Sequence, residues 1–148
     1  MGDLARTRFF AALAAVSTVG AGLGIRAVGS GDVAKYGGDA LYTVLVYALV
    51  VLALPRARPA VAASGALAFS WAVELFQLTG LPAEWAGRGA LARLVLGSTF
   101  NVPDLLWYAV GAAACWAVHT SLRTTARRTA DPAPPADPPR RTVRRTVL

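Results

Sequence analysis

Residues 40–78 read ALYTVLVYALVVLAL, then PRARP, then AVAASGALAFSWAVELFQL. An apolar run is followed by a five-residue turn that holds Arg56 and Arg58 between Pro55 and Pro59, and then by a second apolar run. The apolar residues come in blocks, without the period-2 or period-3.6 alternation of half-buried strands and helices, and lipid explains them better than a water-soluble core. The two prolines prevent one helix from passing straight through the turn. This stretch is therefore predicted to be two membrane-crossing helices, about 40–54 and 60–78, joined by a tight connection.

Two further blocks lie outward from this pair. The first runs from about Phe9 to Ile25, behind Arg6 and Arg8. A basic flank and an apolar run also open a secretory signal peptide, but no convincing small-x-small cleavage site follows and more apolar blocks do, so an uncleaved helix is expected. Gly20 and Gly24 lie four apart and predict a smooth face for close packing against another helix. The last block runs from about Pro103 to Leu122, with Pro103 in its first turn, where proline suits a helix. At about 1.5 Å per residue, runs of fifteen to twenty residues cover roughly 22 to 30 Å of a hydrocarbon core about 30 Å thick. The second helix is short by this measure and needs residues before Asp39.

The predicted fold is all-α: a polytopic membrane protein with a four-helix transmembrane bundle over 1–122. A short interfacial or re-entrant helix is expected between helices three and four, where Leu91, Leu94 and Val95 make an apolar face beside Arg93. Residues 123–148 hold seven arginines and five of the nine prolines and are expected to form a disordered basic tail.

Composition agrees. The chain has 148 residues, enough for one domain. Only 16% are charged and 55% are hydrophobic, with mean hydropathy +0.48, too little polar material to coat a soluble globule. The net charge of +7 is concentrated in the tail, which carries +5 once Asp131 and Asp137 are set against its arginines. No aromatics interleave with those arginines and no nucleic-acid-binding motif is present, so anionic lipid headgroups are the expected partner, not nucleic acid. Arginine outnumbers lysine fourteen to one and alanine is abundant, a bias that fits a GC-rich bacterial genome. Cys115 is the single cysteine and sits in an apolar block, so no intrachain disulfide can form.

Orientation follows from lysine and arginine in short loops. The amino terminus, the 55–59 turn and the tail fall on one side of a four-helix scheme and carry eleven of the fifteen basic residues; Arg26, Lys35, Arg88 and Arg93 fall on the other. Both termini are thus expected in the cytoplasm of a multi-pass cell-membrane protein. Glu74 then lies about 21 Å up helix three, roughly 9 Å below the outer edge of the core. Gln77 is one turn further out on the same face. Asp39 and Asp104 begin helices two and four at the outer side, Arg26 ends helix one there, and Arg93 lies in the outer segment. These six residues form a predicted polar cluster in the outer half of the bundle. An ionisable group at the bilayer centre costs about 2.5–3.5 kcal/mol on insertion scales, so it faces the bundle and finds a partner. Glu74 is expected to pair with Arg93 or Arg26, or to be protonated. Asp39 and Asp104 could also serve as plain helix caps. His119 has no acidic partner in sequence and reads as an interfacial residue. Motifs of the forms GxxxxGK[ST], HExxH, CxxC and GxSxG are absent, and one histidine and one cysteine make a zinc site implausible. No cofactor or metal is expected.

One combination of residues resembles a known family. Lys35-Tyr36-Gly37-Gly38-Asp39-Ala40-Leu41-Tyr42, Tyr47, Glu74-Leu75-Phe76-Gln77-Leu78, Leu96-Gly97-Ser98, Asp104-Leu105 and Gly111 together look like the small bacterial membrane proteins of domain of unknown function 2809. The likeness covers nearly the whole chain from helix one to about residue 120 and implies no reaction. A more distant likeness, through Glu-x-x-Gln on one helix and Asp followed by Gly on the last, is to VanZ-like proteins, a group tied to glycopeptide antibiotic resistance. This chain departs from their pattern around the second helix. The expected role is non-enzymatic: binding or modulating an envelope component, such as a lipid, a cell-wall precursor head group or a partner protein, with a homo-oligomer as one form. The rivals are a membrane-embedded enzyme acting on a lipid-linked substrate, and a small transporter or proton relay using Glu74.

Overall fold

Hydrocarbon offers a backbone no hydrogen-bond partners, and a helix needs none from outside its own segment. The computed structural model, which describes residues 2–86, 89, 95–96 and 99–130, is built accordingly. Its elements are α1 (Asp3–Val28), α2 (Gly31–Ala53), α3 (Pro59–Phe76) with a 3₁₀ turn Gln77–Thr79, a short α4 (Leu81–Ala86), and α5 (Val102–Ala130). Among the described residues four helices are long and apolar enough to cross a membrane: α1, α2, α3 with its 3₁₀ extension, and α5. No strand occurs among the described residues. α2 is central and packs against α1, α3 and α5, while α3 also packs against α5.

Several boundaries differ from the sequence reading. α2 begins at Gly31, nine residues before the expected start at Ala40, and its 23 residues cover about 34 Å. α5 runs through Arg123, Arg127 and Arg128, so 123–130 are helical where a disordered tail was expected; 131–148 lie outside the described residues. Arg123 donates from its guanidinium to the Ala57 carbonyl at 3.1 Å, which ties this extension to the α2–α3 turn. Of the expected interfacial face, Leu91, Arg93 and Leu94 lie outside the described residues, and α4 occupies the start of that connection. Gly80, at φ +78°, makes the left-handed step between the 3₁₀ turn and α4, a conformation glycine adopts without cost. Gly20 and Gly24 do not pack as expected: a Cβ on either would meet nothing within 4 Å. α1 instead buries Ala11, Ala15 and Thr18.

The core is graded along its length. Ala62, Ala66, Ser70 and Glu74 lie four apart on α3 and form its buried stripe. Lys35, Asp39, Thr43, Tyr47 and Val51 repeat at the same spacing on α2 and so share a face. At the end holding the 55–59 turn the core is apolar, with Ala11, Tyr47, Val51, Ala62 and Ala66. There the Tyr47 hydroxyl and His119 Nδ1 are 2.7 Å apart, so His119 has a partner that its sequence neighbourhood did not announce. Midway, the Thr43 hydroxyl donates to Ser70 Oγ at 3.0 Å, both side chains fully buried. The opposite end gathers the acids. Ser70→Ala alone should destabilise by about 1–3 kcal/mol, since it strands the Thr43 hydroxyl. The double change Thr43→Val with Ser70→Ala should recover most of that loss in a double-mutant unfolding cycle.

Candidate functional site

Glu74 ends the α3 stripe with 1% of its surface exposed. Both carboxyl oxygens are engaged. The Asn101 backbone N–H donates to Oε1 at 2.6 Å and the Tyr108 hydroxyl donates to Oε2 at 3.1 Å. Asn101 immediately precedes α5 and Tyr108 lies in its second turn, so one carboxyl clasps the end of α3 to the start of α5. Trp71 adds a bond between the same helices, its indole N–H donating to the Leu105 carbonyl at 3.0 Å. The expected pairing of Glu74 with Arg26 is not formed; hydrogen-bond donors on the neighbouring helix take its place. Its other expected partner, Arg93, lies outside the described residues.

Asp104 forms the second contact. Its Oδ1 accepts from Lys35 Nζ at 2.7 Å and from Asn101 Nδ2 at 2.6 Å. The Asp104 side chain is 8% exposed and that of Lys35 is 43% exposed, so the pair sits at the rim with its acid inside. Asp104 lies in the first turn of α5, where a carboxylate also favours the positive end of the helix dipole. Its role is thus wider than a cap. Tyr36 stacks on Trp107 with ring centroids 5.6 Å apart, closing the α2–α5 seam beside the ion pair.

Asp39 is not a cap, because α2 starts eight residues before it. Its carboxyl lies in the electrostatic reach of Lys35, Glu74 and Asp104. Its Oδ2 is buried without a hydrogen-bond partner among the described residues. Gln77 donates from Nε2 to the Leu96 carbonyl at 2.8 Å, and its Oε1 is likewise unpartnered. Arg26 stays on the exposed side of α1, where it lines a groove together with Asp39. The structure thus draws Asp39, Glu74 and Asp104 to one end, places Gln77 one turn from Glu74, and sets Arg26 across the groove. Among the described residues no group of three His, Cys, Asp or Glu side chains could hold a metal ion.

A family model described as a protein of unknown function, DUF2809, matches residues 28–112, more than half of the chain. The chain belongs to the DUF2809 family. The matched stretch contains α2, α3 and the first turns of α5, and so every contact of Glu74 and Asp104 given above. Arg26 and His119 fall outside it. No curated protein and no solved structure matches this DUF2809 chain.

Three residues of the site went unread in the sequence. Lys35 lies inside α2, which begins at Gly31, and its spacing of four from Asp39 is the signal that puts the two on one face. Tyr108 stands four after Asp104 and shares its face in the same way. Asn101 acts through its backbone N–H on Glu74, which no residue type announces.

Proposed function

We propose that this DUF2809 chain is a multi-pass protein of the cell membrane with both termini in the cytoplasm. Its Asp39–Glu74–Asp104 end faces the outer leaflet and binds the polar head group of an envelope lipid or lipid-linked cell-wall precursor, without transforming it. The observation that carries this reading is the gathering of Asp39, Glu74 and Asp104 at one end beside a half-exposed lysine, with Asp39 lining an open groove. Orientation rests on the sequence pattern, in which eleven of the fifteen basic residues fall in the amino terminus, the 55–59 turn and residues 123–148. Glu74 supports binding over catalysis: both its oxygens are committed to helix-helix hydrogen bonds, which leaves it poorly placed to exchange protons with a substrate.

Glu74→Gln tests the reading cleanly. The new amide oxygen can still accept from Asn101 N–H, and the Tyr108 hydroxyl can rotate to accept from the amide. The clasp keeps its shape while the site loses one ionisable carboxyl. The variant should insert and express as the parent does, yet change the sensitivity of cells to wall-active drugs or detergents. A well-expressed variant with unchanged sensitivity would make the cluster purely structural.

A further inference from the structure

The groove shared by Arg26 and Asp39 has its own chemistry. It lies between α1 and α2, encloses about 190 Å³, and is lined by both charged residues together with Val19, Leu23 and Leu45. Gly22 and Gly38 also line it, and a Cβ built on either would meet nothing within 4 Å, so the space beside them is open. Along the helix axis the charges gather at one end. Arg26 stands seven residues beyond Val19 on α1, and Asp39 six residues before Leu45 on α2, each roughly 10 Å at 1.5 Å per residue. One end of the groove is charged and the other is apolar apart from Thr18, whose hydroxyl is taken up by the Ala14 carbonyl, which is the shape of an amphiphile.

The charges narrow its class. The Arg26 guanidinium is exposed and makes no ion pair among the described residues. It suits a phosphate, which it can grip with two parallel hydrogen bonds. Asp39, which lines the same groove, is an acid and repels a lone phosphate. It therefore suits a cation that carries N–H groups. A quaternary ammonium has none, and a head group without a cation would add its negative charge to an end that already gathers Asp39, Glu74 and Asp104. Resting on the reading that this end binds a lipid head group, we infer that the groove holds a phospholipid whose head joins a phosphate to a primary ammonium, the phosphoethanolamine pattern. Arg26 takes the phosphate, Asp39 takes the ammonium, and one acyl chain lies along Val19, Leu23 and Leu45.

The test titrates the full-length purified protein, followed by native mass spectrometry, with phosphatidylethanolamine, phosphatidylcholine and phosphatidylglycerol of identical acyl chains. The ethanolamine lipid should bind on the order of tenfold tighter than either other lipid, as one charge-assisted hydrogen bond allows. Asp39→Asn should bring it down to the level of the other two. Arg26→Gln should weaken all three alike. Gly22→Leu should block all three by filling the groove, with folding protected because leucine favours a helix more than glycine does. Equal binding of the ethanolamine and choline lipids by the parent protein would overturn the inference, and so would a preference that survives Asp39→Asn. Lipid bound without preference, but altered by Glu74→Gln, would remove the ammonium assignment and leave the head-group reading standing. Absence of any bound phospholipid would overturn the inference and leave the head-group reading to the lipid-linked precursor alone.

Discussion

Replacing Gly111 by leucine should force α2 away from α5 and destabilise the bundle by about 3 kcal/mol, the upper end of ordinary overpacking losses. A Cβ at Gly111 would sit 2.5 Å from the Ala40 carbonyl oxygen and 3.3 Å from its Cα. The obstacle is backbone, so no side-chain rotation relieves it. Gly111→Ala is the informative smaller step. Alanine gains about 1 kcal/mol of helix propensity over glycine, while the clash costs about 1–3 kcal/mol, so a modest net loss is expected. Ala40→Gly should not rescue either variant, since it leaves the carbonyl where it is. Unfolding midpoints in a denaturing-detergent titration would measure all of these. Stabilisation by Gly111→Ala would mean that the two helices approach less closely than described. The same contact sits one turn inward of Tyr108, so its loss should also loosen the α3–α5 clasp.

Glu74→Leu should be nearly as damaging, for an electrostatic reason. Leucine resembles the glutamate in bulk but accepts no hydrogen bond, which strands the Asn101 N–H and the Tyr108 hydroxyl. Each buried donor left unpaired costs about 1–3 kcal/mol, so a loss of about 2 kcal/mol or more is expected even with partial relaxation. Adding Tyr108→Phe should recover part of it by removing one stranded group. Glu74→Gln should lose far less than Glu74→Leu. If the two variants unfold together, the clasp contributes nothing and Glu74 is held by packing alone.

Much of this was legible in the residues. The apolar runs on either side of Pro55–Pro59 predicted the central pair of helices, and α2 and α3 take those places. The shared end of Asp39, Glu74 and Asp104 followed from topology, because alternate helices bring α2 starts, α3 ends and α5 starts to one side. Of the partners expected for Glu74, Arg26 is the one the structure does not bring to it; Arg93 lies outside the described residues. Glutamate suggests arginine, but Glu74 found a backbone N–H and a tyrosine, since a buried carboxyl needs donors more than a formal countercharge. Hydropathy understates the first turns of α2, Lys35 among them, because Asp32, Lys35 and Asp39 lower it there. The α5 extension to Ala130 was lost because arginine-rich sequence reads as tail, although arginine is a good helix former and Arg123 has a carbonyl to reach.

The head-group reading stands on which way the bundle faces, and cysteine labelling decides that directly. In a Cys115→Ala background, single cysteines at Ser30, between α1 and α2, and at Ala57, between α2 and α3, would be exposed to a membrane-impermeant maleimide on intact cells. Ser30→Cys should label from outside, and Ala57→Cys only after the membrane is permeabilised. Labelling of Ala57→Cys on intact cells, with Ser30→Cys protected, would turn the polar end toward the cytoplasm and contradict the account.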